Sequence, residues 1–164
     1  MKPSSFLAAS LLATIPMSGV AGATCPIELA TYLSIGHAAR LEFTPTLESA
    51  TVTNTFTMRA GDIVFDGLVQ WSVDVPRPWG MLMKDCPKGD VTGAELAACT
   101  VWQGVIYASD KEGNVGLLPE EGQNAPDRLI FPDLEPSLAV SAANADGRLA
   151  GLAWDVFALQ GCRE

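Results

Sequence analysis

Four cysteines, Cys25, Cys86, Cys99 and Cys162, follow an N-terminal export signal, and this combination constrains the fold more than any other feature. Met1-Lys2 gives a positive start, residues 6–15 form an apolar stretch, and Ala21-Gly22-Ala23 places small residues where a signal peptidase reads. Pro16 and Gly19 interrupt the stretch well short of the roughly 20 apolar residues that a bilayer span requires. Thr24 before Cys25 is not the small residue that a lipid-attachment site wants. We therefore expect residues 1–23 to be a secretory signal peptide and residues 24–164 to be a single β-rich domain. That domain is secreted across the cytoplasmic membrane, and is periplasmic if the source is a double-membrane bacterium. An even cysteine count in an oxidising compartment favours two disulfides over free thiols. Of the three possible pairings, Cys86 with Cys99 brackets a short polar loop and Cys25 with Cys162 ties the two ends of the mature chain, so these two bridges are expected.

The hydrophobic periodicity is that of strands. Residues 40–44 alternate apolar with polar, and residues 51–58 put Val52, Asn54, Phe56 and Met58 on one face against a face that is nearly all threonine. Residues 63–65, 68–71 with Val73, 81–83 and 101–108 are further short runs rich in β-branched and aromatic residues, bounded by turn residues such as those at 59–62. Asp66-Gly67 reads as a hairpin turn or as a bulge within one long strand. Residues 110–114 read as the turn joining 101–108 to 115–118, and Asp146-Gly147 as the turn joining a strand over 137–142 to one over 149–159. The 149–159 run also fits a helical stripe through Leu149, Leu152, Val156 and Leu159, but is read as a strand. Residues 118–128 are polar enough for a long surface loop. One short helix is expected over 93–99, where Thr92 and Glu95 stand in capping-box spacing. The sum is an all-β or β-rich fold with one short helix, an antiparallel sandwich or barrel stapled by two disulfides.

Several chemistries find no footing. The nine cations of the mature chain are scattered singly from Arg40 to Arg163 against nineteen carboxylates, a net charge of −10, which argues against nucleic acid and anionic lipid as partners. The acidic surface suits solubility and leaves a basic protein partner open. No cofactor is expected, since neither GxGxxG nor GxxxxGK[ST] occurs. A serine or cysteine nucleophile needs a base, and His37 is the only histidine, read as a turn residue with no GxSxG elbow elsewhere. No CxxC pair accompanies it, so no metal site is expected. Asp110, Glu112 and Asn114 alternate like calcium ligands, but Gly113 is misplaced for an EF-hand loop, and a hairpin tip is the better reading.

The segment most suggestive of recognition runs Val75-Pro76-Arg77-Pro78-Trp79-Gly80 and is followed by the disulfide-bracketed loop 87–98. Its prolines reduce the entropy lost on binding, and Trp and Arg are frequent interface anchors. Trp71, Trp102 and Tyr107 lie in strands and read as core. The expected role is a non-catalytic binding or inhibitor-type module of the cell envelope, contacting an envelope component or basic protein through Arg77, Trp79 and Asp90, with no catalytic residues of its own. The alternative is a carboxylate-dependent enzyme acting on envelope glycans. Its acid and base would be Asp155, set beside Trp154 in an apolar run, or members of Asp85, Asp90 and Glu95.

Overall fold

The computed structural model describes residues 25–36, 39–46, 51–71, 76–149 and 155–164. The expected signal peptide, His37, Val73, Val75 and Trp154 lie outside the described residues. Among the described residues, ten antiparallel strands form one curled, half-barrel sheet: β1 (Ala30–Ser34), β2 (Ala39–Thr44), β3 (Val52–Ala60), β4 (Ile63–Trp71), β5 (Pro78–Met83), β6 (Thr100–Val105), β7 (Tyr107–Ser109), β8 (Val115–Leu117), β9 (Arg128–Ile130) and β10 (Val156–Cys162). Their order in the sheet is β6-β5-β4-β3-β2-β1-β10-β9-β7-β8. The helices are α1 (Gly93–Cys99) and α2 (Leu134–Val140). Both expected bridges are present, Cys25–Cys162 and Cys86–Cys99. On a loop-closure model the shorter one contributes about 3 kcal/mol and the longer about 5 kcal/mol.

The strand 101–108 divides at Ile106 into β6 and β7, and this division shapes the sheet. The Ile106 amide donates to the Pro78 carbonyl at 3.2 Å, while the Ile106 carbonyl accepts from Leu118 at 3.2 Å. One edge of this bent strand is thus shared by β5 and then β8, and the other edge of its second half carries β9. The first strand of the order, β6, and the last but one, β7, are halves of one continuous segment, which holds the curl together. Gly80 makes this possible, because a Cβ there would lie 2.6 Å from Ile106 Cδ1.

The inside of the curl is filled by the alternate residues of each strand. On β3 these are Asn54, Phe56, Met58 and Ala60, so the face read from the sequence is the buried one. Asp66-Gly67 is neither turn nor bulge: β4 runs unbroken from Ile63, and the two-residue turn falls at Gly61-Asp62, where Gly61 has φ of +61°. Gly67 faces inward opposite Phe56, and a Cβ there would lie 2.3 Å from the Phe56 ring. That ring stands 5.2 Å from Phe43 and 5.9 Å from Phe131, and Phe131 meets Trp102 at 5.2 Å and Phe157 at 5.4 Å. Trp102 is core as expected and donates through Nε1 to the Pro132 carbonyl at 2.8 Å, whereas Trp71 and Tyr107 are only half-buried.

The expected hairpin over 137–142 and 149–159 does not exist. Residues 134–140 are helical, Ala142–Asn144 is a 3-10 turn, and β10 pairs with β1 and β9 instead. Leu134 and Leu138, one helical turn apart, are both buried, and Pro136 is tolerated in the first turn, where amides have no partner within the helix. Gly147, with φ of +71°, closes the 3-10 turn by donating to Asn144 O at 2.8 Å. The 110–114 turn forms as expected between β7 and β8, with the Asp110 carboxylate accepting from the Asn114 amide at 2.8 Å and from its Nδ2 at 2.7 Å.

Two expectations follow. Gly67→Ala forces a methyl group into a ring already held by Phe43 and Phe131, and should destabilise by about 1–3 kcal/mol in urea titration. The second concerns Tyr32, whose hydroxyl donates to Pro126 O at 3.0 Å, and whose burial, with Asp127 nearby, pushes its phenol well above the ordinary tyrosine range. The folded state therefore favours the neutral phenol. Stability should be intact below about pH 10, the ordinary tyrosine pKa, and should fall as pH rises beyond it. Tyr32→Phe should flatten that alkaline limb of the urea midpoint against pH.

Candidate functional site

The outer face of β4, β5 and β6 carries the recognition segment. Trp79 lies in β5, opposite Gln70 on one side and Val105 on the other, and Met81 lies opposite Leu68 and Gln103. Pro78, Gly80 and Leu82 between them face the core, so Trp79, Met81 and Met83 point outward. Trp79 is 41% exposed, which is unusual for an indole in the middle of a sheet. Residues 78–80, read from the sequence as part of a proline-stiffened segment, are strand, so the rigidity comes from two flanking ladders as well as from proline.

Arg77 is exposed at the start of β5 and makes no ion pair with a described carboxylate. Asp90 is exposed in the loop beyond the far end of that strand. Six residues of strand span about 17 Å, so the structure places the two charges at opposite ends of β5 rather than together. Trp79 and Met81 occupy the outer face between them.

Between α1, the outer side of β5 and β6, and α2 lies an open groove of about 440 Å³. Its lining includes Met81, Leu96, Ala97, Val101, Gln103 and Ser137. Helix α1 forms here for the reason read from the sequence. Thr92 Oγ1 accepts from the Glu95 amide at 3.3 Å, and the Glu95 carboxylate accepts from Thr92 N at 2.9 Å and from Thr92 Oγ1 at 2.7 Å. Those bonds, the side-chain one foremost, hold the Glu95 carboxyl below its ordinary range. The Cys86–Cys99 bridge fastens the last residue of the helix, and Lys84 N donates to Cys99 O at 2.9 Å. No local signal marks the groove, because its far wall comes from α2.

Three of the four carboxylates singled out as acid and base have other partners. Asp155 takes the backbone amides at the start of α2, with Oδ2 accepting from Asp133 at 3.1 Å and Oδ1 from Leu134 and Glu135 at 3.0 and 3.3 Å. It is a capping group supplied from 22 residues away, neither inward and unpaired nor bonded to arginine. Asp85 pairs with Lys84, and Glu95 belongs to the capping box. Among the described residues no three His, Cys, Asp or Glu side chains gather in a metal-binding group. A second, smaller hollow of about 280 Å³ is lined by Trp71, Leu117, Leu118, Pro119, Glu120 and Gln123. Trp71 shares the inward parity of Phe65 and Val69, and its Nε1 is buried with no hydrogen-bond partner among the described residues.

Comparison with protein-family models, with curated proteins and with solved structures finds no match for this chain.

Asp155→Ala removes the acceptor for three orphan amides and should cost about 1–2 kcal/mol. Hydrogen exchange should show the loss concentrated in α2, with β3 and β4 protected as before.

Proposed function

We propose that this chain is an exported, disulfide-stabilised binding or inhibitor-type module of the cell envelope, and that it recognises a protein partner through the outer face of β5 and the adjoining α1 groove. The observation that carries this reading is Trp79, held 41% exposed on a strand paired on both sides. An aromatic anchor presented by a rigid element loses little entropy on binding, which is what gives interface tryptophans their weight. Met81 and Met83 extend the same face with adaptable apolar side chains. The two disulfides support the reading too, since one of them fixes the loop and helix that border the groove.

The chain's formal net charge of −9, or −10 without Lys2, favours a basic partner, and a cationic cell-wall hydrolase is one class with that charge. No specific observation favours the glycan-cleaving alternative, because Asp155 and Glu95, two of the carboxylates proposed for it, are engaged in helix capping.

The test is capture from cell-envelope extract on the tagged, oxidised chain starting at Thr24, beside a Trp79→Ala control, followed by calorimetric titration of the purified retained protein. Trp79→Ala should weaken binding about thirtyfold or more, the loss typical of an aromatic anchor. Equal retention by both chains, or retention of nothing by the parent, would overturn the proposal.

A further inference from the structure

The strand order ends at β6, so among the described residues one edge of that strand has no neighbouring strand. Hydrogen-bond parity along β6 identifies which backbone groups lie there. The Ile106 amide points at Pro78 of β5, so Gly104, two residues back, points the same way, while Gln103 and Val105 turn their amides and carbonyls to the opposite edge. No described group bonds to them. In the second half of the bent strand this edge is occupied by β9, pairing Tyr107 with Ile130. At Pro132 the chain leaves the ladder, and Asp133, with φ of +59°, turns it into α2. The edge of β6 therefore lies open where β9 would have continued, and the groove between α1 and α2 runs over Thr100–Gln103.

We infer that this slot accepts an extended, cationic peptide segment of the partner as an added strand on β6. Resting on the binding-module reading above, the inference names the partner's chemistry and its mode of docking. Backbone pairing to Gln103 and Val105 supplies affinity without sequence demands, and alternate side chains of the guest fall toward the groove and toward solvent. The charge of the guest follows from that of the chain, −9 over the full sequence. The described lining of the groove carries no charged side chain to repel a cation, Glu95 and Glu135 stand on the bordering helices, and Asp90 and Lys88 are exposed in the loop leading to α1. Lys84 is already paired with Asp85. A second copy of this chain is the poorer guest. Pairing β6 with β6 would bring two sets of flanking helices into one space and oppose two equally acidic chains.

The probe is a set of N-acetylated, C-amidated hexapeptides in which lysine alternates with valine, isoleucine or tyrosine, with glutamate-containing counterparts as controls. They are titrated into the oxidised mature chain while its backbone amides are followed by nuclear magnetic resonance. Lysine peptides should shift and protect the Gln103 and Val105 amides, and glutamate peptides should not. Gln103→Pro removes a donor that the sheet does not use, so the fold tolerates it as edge strands tolerate proline, and affinity should fall about tenfold. Ala97→Arg, on the exposed rim of α1, tests the same slot by bulk and charge and should weaken binding to a similar extent. Absence of lysine-peptide binding, shifts mapping elsewhere, or affinity unchanged in both variants would overturn the inference. The Trp79→Ala capture is read separately, so the outer face can stand as a binding surface even where the strand-addition slot fails.

Discussion

Phe131 is the contact on which the rest of the structure depends. A curled sheet has an interior that must be filled to close packing, or its strands flatten and expose their apolar faces to water. The Phe131 ring touches Phe56 from β3, Trp102 from β6 and Phe157 from β10, three strands that the sheet order keeps far apart. It sits one residue past the end of β9, still bonded through its amide to Asp155 O at 2.7 Å, and with the inward parity of buried Leu129 it points into the curl as a plug. Burial of an aromatic side chain of this size contributes on the order of 2–3 kcal/mol, with edge-on ring contacts adding to it. Gly67 complements the plug from the other side by leaving room for Phe56 to lie across β4.

The departure of the chain after Phe131 also decides what the molecule presents outside. Had β9 continued beside β6, the barrel would be closed and its edge consumed. Pro132 and Asp133 instead divert the chain into α2, whose first amides are satisfied by Asp155 arriving just before β10. One diversion thus produces three linked features: a helix packed against β6, a groove between that helix and α1, and an unpaired strand edge beneath it. Edges are usually blunted because they invite aggregation, and here residues of α1 and α2 border the groove that runs along β6.

Where local chemistry determined the outcome, the sequence was a sufficient guide. The alternation in β3, the capping box of α1, the 110–114 hairpin tip and both disulfide pairings were all legible, because each depends on residues close in sequence or on simple chain-end logic. The unread parts depend on distant partners. Helix α2 has no side-chain cap of its own, and its cap is a carboxylate 22 residues on, so a stretch with moderate strand and helix character was decided by Asp155 and by burial of Leu134 and Leu138. Strand β9, only three residues long and next to a polar loop, carries too few positions for a period to register. Of the candidate site, Trp79 was readable as an anchor, but the groove beside it was not, since α1 and α2 are separated by four strands of sequence.

The placement of the covalent bridges fits this division between a filled interior and a working exterior. Cys25–Cys162 joins the start of the described chain to the end of β10, where Arg163 also reaches the Phe43 carbonyl, so the chain ends are secured on the strands that bury Tyr32 and Phe157. Cys86–Cys99 closes a segment in which no residue is buried: α1 has no core residue, and its capping box and the bridge are the main restraints on its position. A helix with no core-facing residue gains little from the hydrophobic effect, so its place beside β6 must be fixed by covalent and capping interactions. That makes the short bridge an element of the groove as much as of the fold. Reducing it would free α1 while leaving the aromatic interior intact, which separates the stability of the domain from the shape of the surface it offers.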